Sequence, residues 1–173
     1  VTSEVLRVDY QKHTPGERFI HKYTYNTVGQ LIEVRTGASD ADLKLQARYE
    51  YYETGALKRK EVGNGLQGMD YVYTLEGALK SINHPDLTAA KDPGGDANDL
   101  FGMTVHYNSD DYLRTNTPKP IDNSALGTNQ YNGNIKGIEW KTHGLPKSNY
   151  YYDYNRNNWL EGAEFNVGLE AGG

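Results

Sequence analysis

The sequence contains no cysteine among its 173 residues, and this absence excludes several kinds of site. Without cysteine the chain has no disulfide framework, no Cys-ligated zinc centre and no thiol nucleophile. It also has no basic run, and its net charge of −5 and pI near 5.5 argue against nucleic acid as the main partner. The apolar runs are only a few residues long, so the sequence predicts no membrane span.

Aliphatic residues are also scarce, and tyrosine takes their place. Hydrophobic residues make up 36% of the chain and the mean hydropathy is −0.81, both low for a thick globular core. Aromatic residues nevertheless make up 12%, with 15 Tyr against three Phe and two Trp. Because Tyr has an apolar ring, a polar tip and a preference for strands, this composition indicates thin, partly hydrated sheets and not disorder.

A repeat of the form Y-x-Y-N-x-x-G-x-L runs through the first half of the chain. Residues 23–31 carry it in full, and residues 49–57 and 71–79 fit the same frame. In each copy the second Tyr lies four residues before the Gly and six before the Leu. The three regular copies consist of Tyr23, Tyr25, Gly29 and Leu31; Tyr49, Tyr51, Gly55 and Leu57; and Tyr71, Tyr73, Gly77 and Leu79.

Three divergent copies follow in the second half of the chain. The first has Asp111 where the glycine stood, the second has a changed turn, and the third restores Y-x-Y-N and places Asn158 at the glycine position. The second Tyr recurs mostly every 22 to 26 residues across all six copies. The divergent copies contribute Tyr107 and Leu113, Tyr131 and Ile138, and Tyr152, Tyr154 and Leu160.

Each copy is interpreted as one β-hairpin. The alternation Y-x-Y places both rings on one side of a strand, and the following Asn, as at Asn26 and Asn155, starts a turn. The glycine then lies where a type I turn with a bulge requires a positive φ, which Asn158 and Asp111 tolerate next best. Leu begins the return strand on the buried face, and the charged residues after it suit a solvated face. A lone hairpin is marginal in water, so the sequence predicts an all-β fold of stacked antiparallel β-hairpins.

This repeat resembles the RHS repeat, also called the YD repeat, over residues 18–162. The family's hairpins wind into a spiralling strip that closes as a hollow shell, so the resemblance implies part of a β-shell. F-G-M in residues 101–107 and Y-N-G-N-I-x-G-x-x-W-K-T in residues 130–142 are similar to RHS proteins of Bacteroidota. That similarity implies type IX secretion, a secreted or cell-surface location, and a place in a polymorphic toxin or adhesin.

Two features of RHS proteins are not evident in the sequence. The first is the RHS-associated core with its aspartate-dependent self-cleavage motif; D-P-G-G at 92–95 is similar to part of it but lies between repeats, so autoproteolysis is not inferred. The second is the number of repeats, since six are too few for a closed shell and leave open edges. The start at Val1, without an initiator Met or a signal peptide, favours a processed or partial product.

The pattern predicts one continuous repeat domain with five segments. Proline and glycine mark the irregular stretch in its middle, which interrupts the repeat period. The segments are a leading segment at 1–17, three regular hairpins at 18–83, a loop insertion at 84–100, three divergent repeats at 101–162, and a C-terminal tail at 163–173.

An acidic loop offers a candidate metal site. Asp92, Asp96, Asn98 and Asp99 place hard oxygen ligands of the kind that calcium prefers close together in the chain. The loop lacks the full D-x-D-x-D-G-x5-E pattern, and a solvated acidic turn is the simpler interpretation. The prediction is therefore that the chain has no metal ion and no other cofactor.

No catalytic motif is present in the sequence. The five His residues form no H-E-x-x-H pair, no Ser lies in G-x-S-x-G, and no glycine-rich stretch forms a phosphate cradle. We therefore expect no enzyme, and a glycan hydrolase using surface carboxylates is the least favoured hypothesis.

The leading hypothesis is a structural, encapsulating segment of a large secreted RHS-repeat protein, a shell or scaffold for a toxin or a cell-surface adhesin. The alternative is an aromatic-repeat binding module for cell-surface carbohydrate, based on the Tyr- and Trp-rich stretch between Trp140 and Trp159. Expected partners are other repeats of a longer chain or another chain over the open edges, a toxin cargo, or a cell-surface glycan.

Overall fold

Each regular copy of the repeat, with its alternating side chains, lies on two strands and the turn between them. The computed structural model describes residues 4–14, 16–96, 98–109, 111–112 and 127–168. These residues form eleven antiparallel strands and a 3-10 turn at Asp40–Asp42, which confirms the predicted all-β fold of stacked hairpins. The strands are β1 (Arg7–Tyr10), β2 (Phe19–Tyr25), β3 (Leu31–Gly37), β4 (Lys44–Tyr51), β5 (Leu57–Val62), β6 (Gln67–Tyr73), β7 (Leu79–Ile82), β8 (Phe101–His106), β9 (Gly137–Thr142), β10 (Ser148–Tyr154) and β11 (Leu160–Val167).

The chain forms two compact units, Val1–Gly68 and Met69–Gly173, where the sequence pattern indicated one continuous domain. In the first unit, β1 to β5 pair in chain order. Strand β6 begins at the end of this unit, and in the second unit β6 to β11 pair in chain order. Each unit is therefore an antiparallel meander in which sequence neighbours are also sheet neighbours. No helix in the described residues is long and apolar enough to cross a lipid bilayer.

In the three regular copies and the last divergent copy, the residues between the second Tyr and the Leu form the turn of a hairpin. The two residues are paired across the hairpin, and a β-bulge lies at the Tyr in every case. The predicted positive φ is present at Gly29, Gly55, Gly77 and Asn158, with values of 82°, 87°, 87° and 62°. The pairs are Tyr25 with Leu31, Tyr51 with Leu57, Tyr73 with Leu79, and Tyr154 with Leu160.

Asparagine side chains hold two of these turns. Asn26 Oδ1 accepts hydrogen bonds from the amides of Val28 at 3.1 Å and Gln30 at 2.9 Å. Asn155 Oδ1 accepts from the amides two and four residues further on, at 2.8 and 3.1 Å. Thr74 takes the same place in the third copy, where its Oγ1 accepts from Ala78 N at 3.2 Å. The polar residue after Y-x-Y therefore fixes the turn by local bonds, as the repeat indicates.

Several segment boundaries differ from the sequence pattern. Strand β1 lies inside the leading segment 1–17, and β11 continues to Val167, into the stretch from 163 that was expected as a tail. Between β7 and β8 the described residues of the insertion 84–100 form turns and bends and no strand or helix. The return-strand Leu is half-buried in the regular copies, but Leu160 is 57% exposed, so a buried Leu does not extend to the last hairpin.

The buried face of the second unit is largely polar. On β6 the buried positions Asp70 and Val72 alternate with the half-buried Tyr71 and Tyr73 on the opposite face. Fully or nearly fully buried residues elsewhere in this unit include Lys80, Ser81, Asn83, Asp92, Asp99, Thr104, His106 and Asn149. Because buried polar groups are costly unless they are paired, the partners of these side chains decide what this face can do.

Candidate functional site

Tyrosine hydroxyls link successive repeats in the first unit. Tyr51 Oη donates to the backbone oxygen of Leu31 at 2.8 Å, and Tyr25 Oη donates to Val5 O at 3.2 Å. Tyr51 is the second Tyr of one repeat, and Leu31 starts the return strand of the repeat before it. Burial raises the pKa of Tyr51, and the nearby Tyr49 raises it further, so the hydroxyl keeps its proton and its role as a donor.

The second unit contains the same kind of link. Tyr107 Oη donates to Leu79 O at 3.0 Å, and Tyr154 Oη donates to Ile135 O at 2.9 Å. Burial raises the pKa of both Tyr107 and Tyr154. The hydroxyl explains why the repeated residue is Tyr and not Phe, since the ring packs on the sheet while its tip satisfies a carbonyl of the preceding repeat.

Removing one of these hydroxyls gives a measurable test of the link. We expect Tyr51→Phe to lower the free energy of unfolding by about 1 kcal/mol, because the Leu31 carbonyl loses its donor in a partly buried place. Tyr49→Phe is the matched control, since the Tyr49 hydroxyl has no hydrogen-bond partner among the described residues. Urea denaturation of both variants measures the difference, and equal midpoints would show that the hydroxyl bond contributes nothing.

A cluster of buried and half-buried carboxylates lies where the insertion 84–100 meets β6. Asp70 on β6 and Asp92 and Asp96 in the insertion each offer an oxygen, and these three oxygens lie within 4.8 Å of one another. Asp92 is fully buried and Asp70 is 4% exposed. Backbone amides position one side of the cluster, because Asp92 Oδ2 accepts from Gly95 N at 2.6 Å and from Asp96 N at 3.2 Å.

Asp99 is a further buried carboxyl beside this cluster. Burial raises its pKa to about 7, and the charges of Asp92, Asp96 and Asp70 add to that shift. Burial also raises the pKa of Asp92, against the lowering effect of the Gly95 amide. Three of the four carboxyls are buried and Asp96 is half-buried, and a proton or a cation at this place would lower the repulsion among them.

Three of the four candidate calcium ligands from the acidic loop are brought together. Asp92 and Asp96 converge, and Asp99 lies close enough for their charges to raise its pKa. Asp92 and Asp99 are buried and Asp96 is half-buried, whereas the simpler interpretation placed this loop in solvent. Asn98 is exposed. Sequence reasoning missed Asp70, which occupies a buried position of β6 between half-buried neighbours. A signal was present, since an Asp alternating with Val72 on one strand face is unusual for a side chain that favours water.

A second charged group of this unit is a buried ion pair. Lys80 on β7 is fully buried; its Nζ donates to Val105 O at 2.8 Å and lies 2.9 Å from Asp111 Oδ1. Burial lowers the pKa of Lys80, and the bond to Asp111 acts in the opposite direction. Asp111 also accepts from Tyr107 N at 2.7 Å, so the pair fastens the chain beyond β8 to β7.

A histidine and a glutamate are paired nearby on β8 and β9. His106 Nε2 lies 3.2 Å from Glu139 Oε2, and Tyr151 Oη donates to Glu139 Oε1 at 3.1 Å. Burial alone would raise the pKa of Glu139, but the bonds from His106 and Tyr151 bring it below its usual range. Because both carboxylate oxygens are occupied, this group is typical of a structural network and not of a general base waiting for substrate.

An aromatic row crosses β9, β10 and β11. Trp140 stacks on Tyr150 at a centroid distance of 5.9 Å and on Phe165 at 6.1 Å. Tyr150 in turn stacks on Tyr152 at 6.1 Å with an interplanar angle of 10°. Phe165 is 49% exposed and Tyr150 is also exposed, whereas Trp140 and Tyr152 are half-buried. We call these four residues the aromatic row.

The divergent repeats behave differently from one another. Tyr152, Tyr154 and Leu160 form a hairpin, as in the regular copies. Tyr131 lies outside the strands and is 74% exposed, and Ile138 pairs with Val105 and Tyr150, so these two do not close a hairpin. Leu113 lies outside the described residues.

A comparison with models of known protein families finds no match, and a comparison with curated proteins finds none either. The function proposed for this chain therefore depends on its own residues and geometry.

Proposed function

We propose that this chain is a structural, non-enzymatic segment of a larger secreted or cell-surface RHS-type repeat protein, forming part of a shell or scaffold. The observation that carries the proposal is the set of bonds from the second Tyr of a repeat to a backbone carbonyl of the preceding stretch, at 2.8 to 3.2 Å. Such bonds make each repeat depend on its neighbour, which is the property that a stacked wall requires.

The distribution of polar groups supports a wall more than a catalytic cleft. The residues with buried charge, such as Lys80 and Glu139, have partners that hold them in place. The Tyr face is half-buried and the aliphatic core is small, so each unit is thin. A thin wall stabilised by hydrogen bonds suits a protein that encloses a cargo, as the resemblance to RHS repeats implies.

The last strand, β11, has an edge on which further repeats could pair. Strand β11 pairs only with β10 among the described residues, and most of its side chains are exposed. Exposed apolar residues on this strand include Leu160, Phe165 and Val167. An open edge with apolar side chains is a surface that other strands cover in stable proteins. Another repeat of the parent chain, or a partner chain, is therefore the proposed occupant.

The test is the size of the native polypeptide. We expect the intact mass of the protein from its source to be several times 19.4 kDa, and its sequence beyond residues 1–173 to contain more Y-x-Y-N-x-x-G-x-L units. Mass spectrometry of the native chain, together with sequencing of the adjoining coding region, makes this measurement. A parent chain with no further repeats would refute the proposal.

The aromatic row favours a second candidate, a binding face for cell-surface carbohydrate. Neighbouring aromatic rings such as Trp140, Tyr150 and Phe165, of which Tyr150 and Phe165 are exposed, are a surface on which the apolar faces of sugar rings can pack. A glycan array distinguishes the two functions: binding that Trp140→Ala abolishes supports the second candidate, and no binding to any glycan sets it aside.

A further inference from the structure

We propose that Asp70, Asp92, Asp96 and Asp99 bind one calcium ion. Three of these carboxylates already place oxygens within 4.8 Å of one another. Calcium ligands lie about 2.3 to 2.6 Å from the ion, so ligands on opposite sides of it are up to about 5 Å apart. The oxygens therefore have the spacing of a coordination shell. This inference is independent of the proposed wall function.

Asp99 provides the second, independent observation. This residue is 2% exposed, and its Oδ2 has no hydrogen-bond partner among the described residues. Its other oxygen, Oδ1, accepts from Asn83 Nδ2 at 2.9 Å, which fixes the carboxyl group in place. The carboxyl of Asp99 lies close enough to Asp92, Asp96 and Asp70 for their charges to act on it, so Asp99 borders the cluster. A buried carboxylate oxygen without a donor is costly, and a bound cation would offset that cost.

The supporting residues hold the cluster in a fixed geometry. Asn83 is fully buried, and its Oδ1 accepts from Asp70 N at 2.7 Å while its Nδ2 binds both Asp99 and Phe101 O. One asparagine thus orients the strand that carries Asp70 and the end of the loop that carries Asp99. Outer hydrogen bonds of this kind are what align the ligands of metal sites.

The ligand set selects calcium over other cations. The three clustered ligands are carboxylates, as is the neighbouring Asp99, and the cluster contains neither the imidazole nor the thiolate that zinc and copper prefer. Magnesium keeps several waters and uses one or two carboxylates, whereas calcium accepts a larger all-oxygen shell. Calcium at this place would join β6 to the insertion 84–100 and fasten that loop to the sheet.

The first experiment is calorimetric titration of CaCl2 into the whole 173-residue chain after treatment with EDTA. We expect one binding event, and Asp99→Asn is expected to weaken it at least ten-fold. Asp153→Asn is the control, because Asp153 is an exposed carboxylate on β10, outside the cluster. The affinity of this variant for calcium should equal that of the wild type. Absence of binding by the wild-type chain at millimolar CaCl2 would overturn the proposal.

Thermal melting separates a cation site from a proton-sharing pair. In EDTA, Asp99→Asn should melt above the wild type, because it removes one of four repelling charges. In saturating CaCl2 the order should reverse, because the variant loses a ligand and the wild type gains the binding energy. A variant that melts above the wild type in both buffers would overturn the proposal. An equal rise in melting temperature with MgCl2 would overturn the assignment to calcium.

Discussion

Replacing Lys80 with methionine is expected to lower the free energy of unfolding by about 3 to 5 kcal/mol, because the change leaves Asp111 as an uncompensated buried charge. The side chains of Lys80 and Asp111 are 0% and 3% exposed, and their closest atoms lie 2.9 Å apart. Val105 O also loses its donor in the variant. Removing both charges leaves no unpaired buried charge. The double variant Lys80→Met with Asp111→Leu should therefore recover more than half of the free energy of unfolding that Lys80→Met loses.

The control for this prediction is an exposed ion pair of similar chemistry. Lys58 and Glu50 lie 3.7 Å apart, and each side chain is 51% exposed. Exposed pairs contribute about 0 to 1 kcal/mol, so Lys58→Met should change the free energy of unfolding by less than about 1 kcal/mol. Urea denaturation of the wild type, Lys80→Met, Asp111→Leu and the double variant gives the coupling energy of the Lys80–Asp111 pair. Equal effects of Lys80→Met and Lys58→Met would mean that water reaches the Lys80–Asp111 pair.

The regular hairpins were predictable because their signals are local. A Tyr and a Leu six residues apart face each other across a turn, and the glycine between them must adopt a positive φ, as Gly55 does at 87°. Both requirements are set within a few residues of chain. The same reasoning fails at Tyr131, because Ile138 lies seven residues further on, not six, and pairs with Val105 of another strand. Gly133, with a φ of 88°, turns the chain before β9 begins.

The candidate site was only partly predictable because its members come from distant parts of the sequence. The aspartates of the acidic loop are visible as a cluster in the chain, but Asp70 joins them through the fold. Lys80 follows Leu79 in a return strand, where charged residues were expected on a solvated face, and it is fully buried instead. Its partner Asp111 is 31 residues away, so no local pattern reveals the pair.

The second large effect is expected at Gly102 on β8, where the insertion 84–100 runs over the strand. A Cβ at this position would lie 2.1 Å from His84 O, 2.4 Å from His84 C and 2.9 Å from Pro85 N. These are backbone atoms of a buried segment, and no rotamer change relieves such contacts. Gly102→Ala should therefore lower the free energy of unfolding by about 3 kcal/mol, at the upper end of the usual cost of overpacking.

Gly162→Ala on β11 is the matched control for Gly102→Ala. Its new Cβ would meet only the Asp153 side chain, at 3.7 Å, so its stability should stay within about 0.5 kcal/mol of the wild type. Amide hydrogen exchange then shows whether the insertion 84–100 or strand β8 moves in Gly102→Ala. Faster exchange at Leu87, whose amide bonds to His84 O, means that the insertion lifts, whereas faster exchange across the β8–β9 pairing means that the strand moves. Wild-type stability in Gly102→Ala would show that the insertion does not rest on β8, and the link between Asp70 and the loop aspartates would lose its support.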